Sequence, residues 1–245
     1  MGLINGDVVE TLRTLPDASI DMIWGDPDYN VGIDYDGVDY TMEWNKYIDW
    51  YCELARESMR VLKSNGNAFF MNYPKQNAYL RVKCLDDISY DVQDYIWVYN
   101  VITGQGQGRF STSHRSILHA RKSIDNKYYK ENYHFDAISQ NDKRIRARET
   151  SGVNGRSWFH FNIVKNVSKE KTFHPCQIPQ DLFNMFLQIF TQPNDKVFIL
   201  FGGSGGELLV CEDAKRDWIS CELHKPYCEL IERRLKEARA VKKLF

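Results

Sequence analysis

The 245-residue chain has almost no net charge: 32 Lys and Arg stand against 33 Asp and Glu, a formal −1. That balance speaks against a histone-like or arginine-rich nucleic-acid binder. Long apolar runs are also missing. The longest, such as residues 197–203, fall far short of the ~20 residues a membrane span needs. No basic-then-apolar leader opens MGLINGDVVE, so the expected setting is cytoplasmic, with no membrane partner. None of the six cysteines (Cys52, Cys84, Cys176, Cys211, Cys221, Cys228) forms a C-x-x-C pair. They are poor zinc ligands and are expected to stay reduced, so no metal site is predicted. An apolar content of 43 % and a charged content of 27 % exclude the disordered class. A chain of this length buries a sizeable core as one domain with an insert.

The charge is unevenly spread. Residues 103–172 hold 14 Lys and Arg against 6 Asp and Glu, a net +8 that leaves the remainder at −9. Four of the six histidines fall in the same stretch. A solvated loop region and a polyanion contact surface both fit this pattern.

Periodicity gives the architecture. Residues 20–24 read as a strand broken by Gly25-Asp26-Pro27-Asp28-Tyr29-Asn30. Trp44, Tyr47, Ile48, Tyr51, Ala55, Met59 and Leu62 mark one face of an amphipathic helix, which Ser64-Asn65-Gly66 should stop through a left-handed Gly66. Strands are expected over 68–71, 95–100, 116–120, 195–201 and 218–222. Helices are expected over about 76–86, around Phe183 to Phe190 after Pro179, over 207–214 and from Pro226 onward. Between about 123 and 167 periodicity is poor and the segment is polar, basic and aromatic. The alternation predicts a mostly parallel α/β sheet, whose ligands sit at the carboxyl ends of strands. Asp26, Gly202 to Gly206 and Glu222 are expected at such ends.

Two of these places carry chemistry. A strand ending in Phe201, then Gly202-Gly203-Ser204-Gly205-Gly206, then a helix brings backbone and free N–H groups close to a ligand. The loop lacks the Lys-Ser/Thr of a phosphate-binding P-loop. Glu222, an acid about twenty residues beyond it, is placed to bind two ribose hydroxyls; the alternative is a helix-capping or surface acid. Asp26-Pro27-Asp28-Tyr29 can hold a planar base, with the ring stacking and the carboxylate and a backbone carbonyl accepting from an exocyclic amine. An ordinary Asp-Pro turn is the plainer reading.

Taken together, the motifs resemble those of the amino-methylating DNA methyltransferases. Asn5-Gly6-Asp7, residues 15–21 and Asp26-Pro27-Asp28-Tyr29-Asn30 are similar to that family's opening. Residues 57–63 with Gly66 resemble its helix-to-strand segment, and residues 173–179 resemble H-P-x-Q-K-P. Residues 201–205 resemble the cofactor loop D-P-F-x-G-S-G, and residues 219–222 with Tyr227 resemble the segment after it. The order, catalytic motif before cofactor loop, is similar to that of the permuted β-class. The resemblance implies a Rossmann-like, mostly parallel seven-stranded sheet with helices on both faces and a basic target-recognition insert. Residues 1–102 and 173–245 would form the catalytic and cofactor-binding domain, and residues 103–172 the DNA-reading region.

The implied reaction is site-specific methyl transfer from S-adenosyl-L-methionine to the exocyclic amine of a flipped base in double-stranded DNA. Adenine N6 is preferred because Asp leads the motif. N4-cytosine transfer or a weak or inactive DNA-binding relative are the alternatives. A homodimer and a cognate restriction endonuclease are compatible with the family. Residue by residue, Asp26 and the Pro27 carbonyl would bind the amine and Tyr29 would stack on the base. Gly203 and Gly205, with Phe201 and Ser204 in the same loop, would cradle the methionine part of the cofactor, and Glu222 would take the ribose hydroxyls. Asp7 would lie near the adenine ring, and His174 and Gln177 would support the pocket. Arg109, Arg115, Arg144, Arg146 and Arg148 would contact DNA. Residues 104–109 read as a loop near the active face. A dinucleotide oxidoreductase would also use the glycine loop and Glu222, but leaves the Asp26 cluster and the basic segment unexplained. The chain departs from the family pattern at Asp28 (usually Pro), Ile199-Leu200 (Asp-Pro), Ile178 (Lys) and Arg115 (Glu).

Overall fold

The computed structural model describes residues 2–101, 108, 110–135, 155–165 and 168–242. The elements run β1 (Gly2–Asn5), α1 (Val8–Thr14), β2 (Ile20–Gly25), α2 (Trp44–Val61), β3 (Leu62–Asn72), α3 (Pro74–Leu80), a π-turn at Arg81–Leu85, α4 (Asp86–Ile88), β4 (Asp91–Val98) and β5 (His114–Arg121). A 3₁₀ turn at Lys130–Asn132, β6 (Trp158–His160), α5 (Gln180–Phe190), β7 (Lys196–Ile199), α6 (Gly206–Asp213), β8 (Asp217–Glu222) and α7 (Lys225–Lys242) complete them.

All eight strands form one sheet in the order β1-β8-β7-β2-β3-β5-β4-β6. Only β5 runs against its neighbours β3 and β4; the other pairings are parallel. The expected count was seven. The eighth strand is the three-residue β6, which pairs with β4 through Ile96↔Trp158 to Val98↔His160. It arises in the stretch without periodicity, and three residues are too few to show a period of two. Both β5 and β6 fall inside residues 103–172, so part of the basic segment is built into the central sheet.

Alternation along the strands splits the core into two layers. Ile23, Ala68, Phe70 and Phe198 face α1 and α2, whereas Met22, Trp24, Phe69, Met71, Val197 and Ile199 face α5, α6 and α7. Helices therefore cover both faces of the sheet. In α5, Leu182, Phe183, Met185, Phe186, Leu187, Ile189 and Phe190 are all buried, with Trp24 edge-on to Phe183 at 5.2 Å. Pro179, with its fixed φ and no N–H, is the N-cap of that helix. No helix among the described residues is long and apolar enough to cross a membrane.

Gly66 has a different job from the one expected. Helix α2 ends at an extended Leu62 and passes directly into β3, with Gly66 inside that strand. The register slips there, Ile20 pairing with Leu62 and Met22 with Asn67. A Cβ on Gly66 would lie 2.8 Å from the Asp21 carbonyl oxygen and 2.7 Å from Leu62 Cδ1. Close backbone approach at a bulge, not a left-handed cap, demands glycine.

The amino end of β2 carries an ion cluster. Asp21, with a side chain only 3 % exposed, accepts from Lys63 Nζ and Lys127 Nζ at 2.8 Å each and from the Lys196 backbone N–H at 2.9 Å. Burial pushes its carboxyl upward, but those donors outweigh burial and hold it below the usual range. The amino ends of the strands are thus fastened by charge. The carboxyl ends of β8, β7 and β2, which lie side by side, are left for the site.

Candidate active site

The residues following β2 and β7 meet because these strands are neighbours, with Trp24 opposite Ile199 and the Leu200 N–H donating to the Trp24 carbonyl at 2.9 Å. Glu222 ends β8, the next strand over. Between them lies a cavity of about 380 Å³, within the range of small-molecule sites. Asp7, Asp26, Pro27, Tyr29, His174, Gln177, Phe201, Gly203, Ser204 and Glu222 all line it. Arg115, expected as a DNA contact, lines it as well. Gly205 does not. Its positive φ of +77° and a Cβ position 3.1 Å from Ile231 Cγ1 show that it lets the loop turn against α7. Arg109, Arg144, Arg146, Arg148 and residues 104–107 lie outside the described residues.

The Asp26–Asn30 turn is held from several sides. Gln76 Nε2 donates to the Tyr29 carbonyl at 2.7 Å, and Tyr47 Oη donates to the Asp28 carbonyl at 2.7 Å. Asp28 Oδ1 accepts the Asn30 N–H at 2.7 Å, and Asn30 sits at φ +58°. This side-chain turn does locally what a rigid second proline would do, so Asp28 keeps the turn without it. Tyr29 Oη donates to Asp26 Oδ1. Asp26 opens only onto the cavity and is otherwise enclosed by protein. Burial pushes its carboxyl up to about 7, against the lowering effects of the Tyr29 hydroxyl and the Arg115 charge. Asp28 raises it further, but as the smallest of these influences.

Arg115 enters from β5. Its guanidinium lies 3.9 Å from the Tyr73 ring centroid and 5.3 Å from those of Tyr29 and Tyr99, and it donates to the Tyr99 hydroxyl. Arg115 therefore stands at the Tyr29 end of the cavity. Nothing in its sequence neighbourhood marks this except the departure from the usual Glu.

The glycine loop forms the other end. Gly203 adopts φ +51°, its N–H donates to Glu222 Oε2 at 2.8 Å, and a Cβ there would sit 3.3 Å from His174 Nε2. Gly202 donates to the Cys221 carbonyl at 2.6 Å, and a Cβ on it would strike Ile231 Cδ1 at 2.7 Å. Glu222 also accepts the His224 N–H at 2.8 Å, and each of its oxygens retains a lone pair for a hydroxyl. Burial raises its carboxyl above the usual value. His174 is buried, held neutral by a value pushed down to about 4, and its Nδ1 has no partner among the described residues. Gln177 spends its amide inside its own segment, accepting from the Thr172 N–H at 2.7 Å and donating to the Glu170 carbonyl at 3.0 Å. It shapes the wall rather than offering a free group. Asp7 likewise caps α1 through the Glu10 N–H at 2.9 Å while bordering the cavity.

A flat, hydroxyl-rich, cationic ligand fits this set: Glu222 for a ribose, glycine backbone for a chain lying close, Asp26 for a donor. Comparison with known proteins names the set. Residues 20–233 match the DNA methylase family (N6_N4_Mtase). The chain belongs to this family. Its members are S-adenosyl-L-methionine-dependent methyltransferases acting on exocyclic amines of DNA bases, and solved structures of this fold include complexes with that cofactor. The chain is 29 % identical over 235 residues to the type II methyltransferase M.HpaI of Haemophilus parainfluenzae, covering 95 % of this chain and 73 % of that one. It is 27 % identical over 248 residues to the DNA adenine methyltransferase YhdJ of Escherichia coli K12, covering 95 % and 82 %. The PvuII cytosine-N4-specific DNA methyltransferase shares its fold with a TM-score of 0.69 at 18 % identity, over 92 % of this chain and 83 % of that one. The dinucleotide oxidoreductase reading is thereby set aside.

The cavity also contains residues that the motifs did not announce. Tyr35, Tyr40, Trp50, Tyr73, Tyr99 and Glu207 line it. Only Glu207 had a readable signal, an acid in the first turn directly after a glycine loop.

Proposed function

We propose that this chain methylates the exocyclic amine of a base flipped out of duplex DNA, with adenine N6 as the target. The observation that carries the reading is Asp26, a half-buried carboxyl at the cavity wall with the Pro27 carbonyl next in the chain and the Tyr29 ring beside it. An exocyclic amine is a poor nucleophile because its lone pair is delocalised into the ring. Accepting its two N–H bonds at Asp26 and at the Pro27 carbonyl localises that pair toward the incoming methyl. The gain is positioning and preorganised electrostatics.

Glu222, the backbone of Gly203 and Ser204, and the His174 wall would hold S-adenosyl-L-methionine, whose sulfonium supplies an activated methyl group. In the free enzyme the Tyr29 hydroxyl donates to the oxygen that the amine must reach, so base entry exchanges one donor for another. After transfer the amine nitrogen sheds a proton. Asp26, with a value near 7, is the acceptor beside it. Residues 103–172 would supply the target-recognition surface, with Arg109, Arg144, Arg146 and Arg148 as DNA contacts. Asp at the head of the motif and the adenine activity named for the E. coli relative favour adenine. The cytosine-N4 neighbour keeps cytosine as the second reading.

Labelled S-adenosyl-L-methionine, mixed-sequence duplex DNA and digestion of the product to nucleosides test this. N6-methyladenine is expected. N4-methylcytosine overturns the base assignment. No transfer with retained DNA binding leaves a binding module.

A further inference from the structure

The cavity has one acid that the proposed chemistry leaves idle. Glu207 stands in the first turn of α6, immediately after the glycine loop, and is only 8 % exposed. It lines the cavity beside Gly203 and Ser204. The other cavity acids are engaged: Asp26 with the Tyr29 hydroxyl, Asp28 with the Asn30 N–H through Oδ1 while its Oδ2 is buried without a partner among the described residues, Asp7 with the Glu10 N–H, and Glu222 with the Gly203 and His224 N–H groups. The Glu207 carboxylate accepts from no other residue among those described. Helix α6 offers it only its own N–H, and the groups that reach it electrostatically are Asp26, Glu170 and Arg234, with Cys211 also on its helix. Arg234 donates instead to the Ser204 carbonyl. Burying a carboxyl without a partner is costly, and a cation delivered by a ligand removes the cost.

The proposed cofactor carries one primary ammonium, on the methionine part that the glycine loop is placed to cradle. We infer that Glu207 accepts that α-ammonium, an assignment that rests on the S-adenosyl-L-methionine reading above. Ile199 and Leu200, which end β7 just before the loop, are fully buried apolar side chains and offer the ammonium nothing. The charge complement for the methionine end therefore comes from the helix after the loop.

The assignment has a proton signature. Burial pushes the free Glu207 carboxyl up to about 8, with Asp26 and Glu170 adding to the rise and Arg234 opposing it. At pH 7 the free carboxyl is mostly protonated. Seating an ammonium against it ionises it and releases a proton to solvent.

Calorimetry on the full chain with two non-reactive ligands tests this. One is S-adenosylhomocysteine; the other is the same thioether nucleoside with hydrogen in place of the α-amino group. E207Q should weaken S-adenosylhomocysteine by about 10- to 100-fold, as expected for a lost hydrogen bond to a charged group, and leave the desamino ligand unchanged. E207D should recover part of the loss. In buffers of differing ionisation enthalpy at pH 7, the wild type should release a proton on binding S-adenosylhomocysteine and E207Q should not. Equal weakening of both ligands in folded E207Q, or of neither, overturns the assignment in favour of a packing role. If the wild type binds neither ligand, the cofactor reading itself falls.

Discussion

Replacing Tyr29 by Phe separates the ring from the hydroxyl and exposes how Asp26 is tuned. The carboxyl must be ionised to accept the target amine, and it sits at about 7 with the Tyr29 hydroxyl holding it down against burial. Wild-type kcat/KM should therefore fall as pH drops through about 7, because protonated Asp26 cannot accept. A hydrogen bond to a charged acceptor contributes about 1.5–3 kcal/mol, and one pKa unit corresponds to 1.36 kcal/mol. Losing the hydroxyl should move the acid limb upward by about one to two units. At pH 7 the ionised fraction drops from about one half to about one tenth or less, so kcat/KM falls at least about fivefold and recovers by about pH 10. The stacking ring is retained, so the high-pH plateau should match the wild type. The assay is labelled methyl transfer at saturating S-adenosyl-L-methionine from pH 5.5 to 10, with DNA affinity measured at each pH. A Phe variant whose limb stays at 7, or a wild type that is flat from pH 5.5 to 9, refutes the tuning and the role of Asp26 with it.

Other perturbations follow from the same geometry. Asp26→Asn should abolish transfer yet raise thermal stability at pH 8. The folded value lies above the unfolded one, so the cost of the carboxylate is absent below about pH 4 and fully present above pH 7, where removing it is worth a few kcal/mol; a variant less stable than wild type at pH 8 contradicts this. Arg115→Ala should shift the acid limb upward like Tyr29→Phe and leave the salt slope of DNA binding unchanged, whereas loss of a phosphate contact would reduce that slope by about one. Gly205→Ala places a side chain at φ +77° against Ile231 and should cost about 1–2 kcal/mol in denaturant unfolding, with weaker cofactor binding. Asp21→Asn removes a carboxylate from the half-exposed Lys63 and from Lys127, which keeps Asp195, and should cost about 1–3 kcal/mol. The lowered Asp21 value also makes its contribution present at neutral pH and lost as pH falls below about 4, so the variant should show a blunted acid-unfolding transition.

The parts of this fold that show in the sequence are those whose pattern repeats over several turns or strand residues. Helix α2 presents its apolar face for eighteen residues and was legible from its first residue, although its end falls at Val61 and not at the expected 64–66. Asp26, the glycine loop and Glu222 were legible because a strand end followed by glycine or proline is a local signal, and parallel topology then gathers them. What was not legible depended on distant partners. Strand β1 is four residues at the sheet edge, defined by pairing with β8. Gly66 looked like a helix stop because the carbonyl it must clear belongs to Asp21, 45 positions away. The place of Arg115 in the cavity was not legible because its charge is local information, whereas the Tyr29, Tyr73 and Tyr99 rings that receive it come from three other segments.

The three cavity carboxyls also bear on whether the cavity catalyses or merely persists. Asp26, Glu207 and Glu222 are all pushed upward, in each case chiefly by burial. Of the three, Glu207 accepts from no other described residue and makes the empty site least favourable, whereas Glu222 keeps two backbone N–H donors and Asp26 the Tyr29 hydroxyl. A chain that kept only the fold and a DNA surface would have no reason to retain them. The ion cluster at Asp21 shows how the same protein treats an acid whose role is structural: three donors surround it and its value falls. The contrast between the two ends of β2 is thus functional. One end satisfies its carboxylate with three donors of the fold, and the other leaves its carboxyls with acceptor capacity for what enters. On that reasoning the −1 net charge of the chain conceals two opposed regions, a cavity lined by acids and a basic segment whose proposed task is to meet a polyanion.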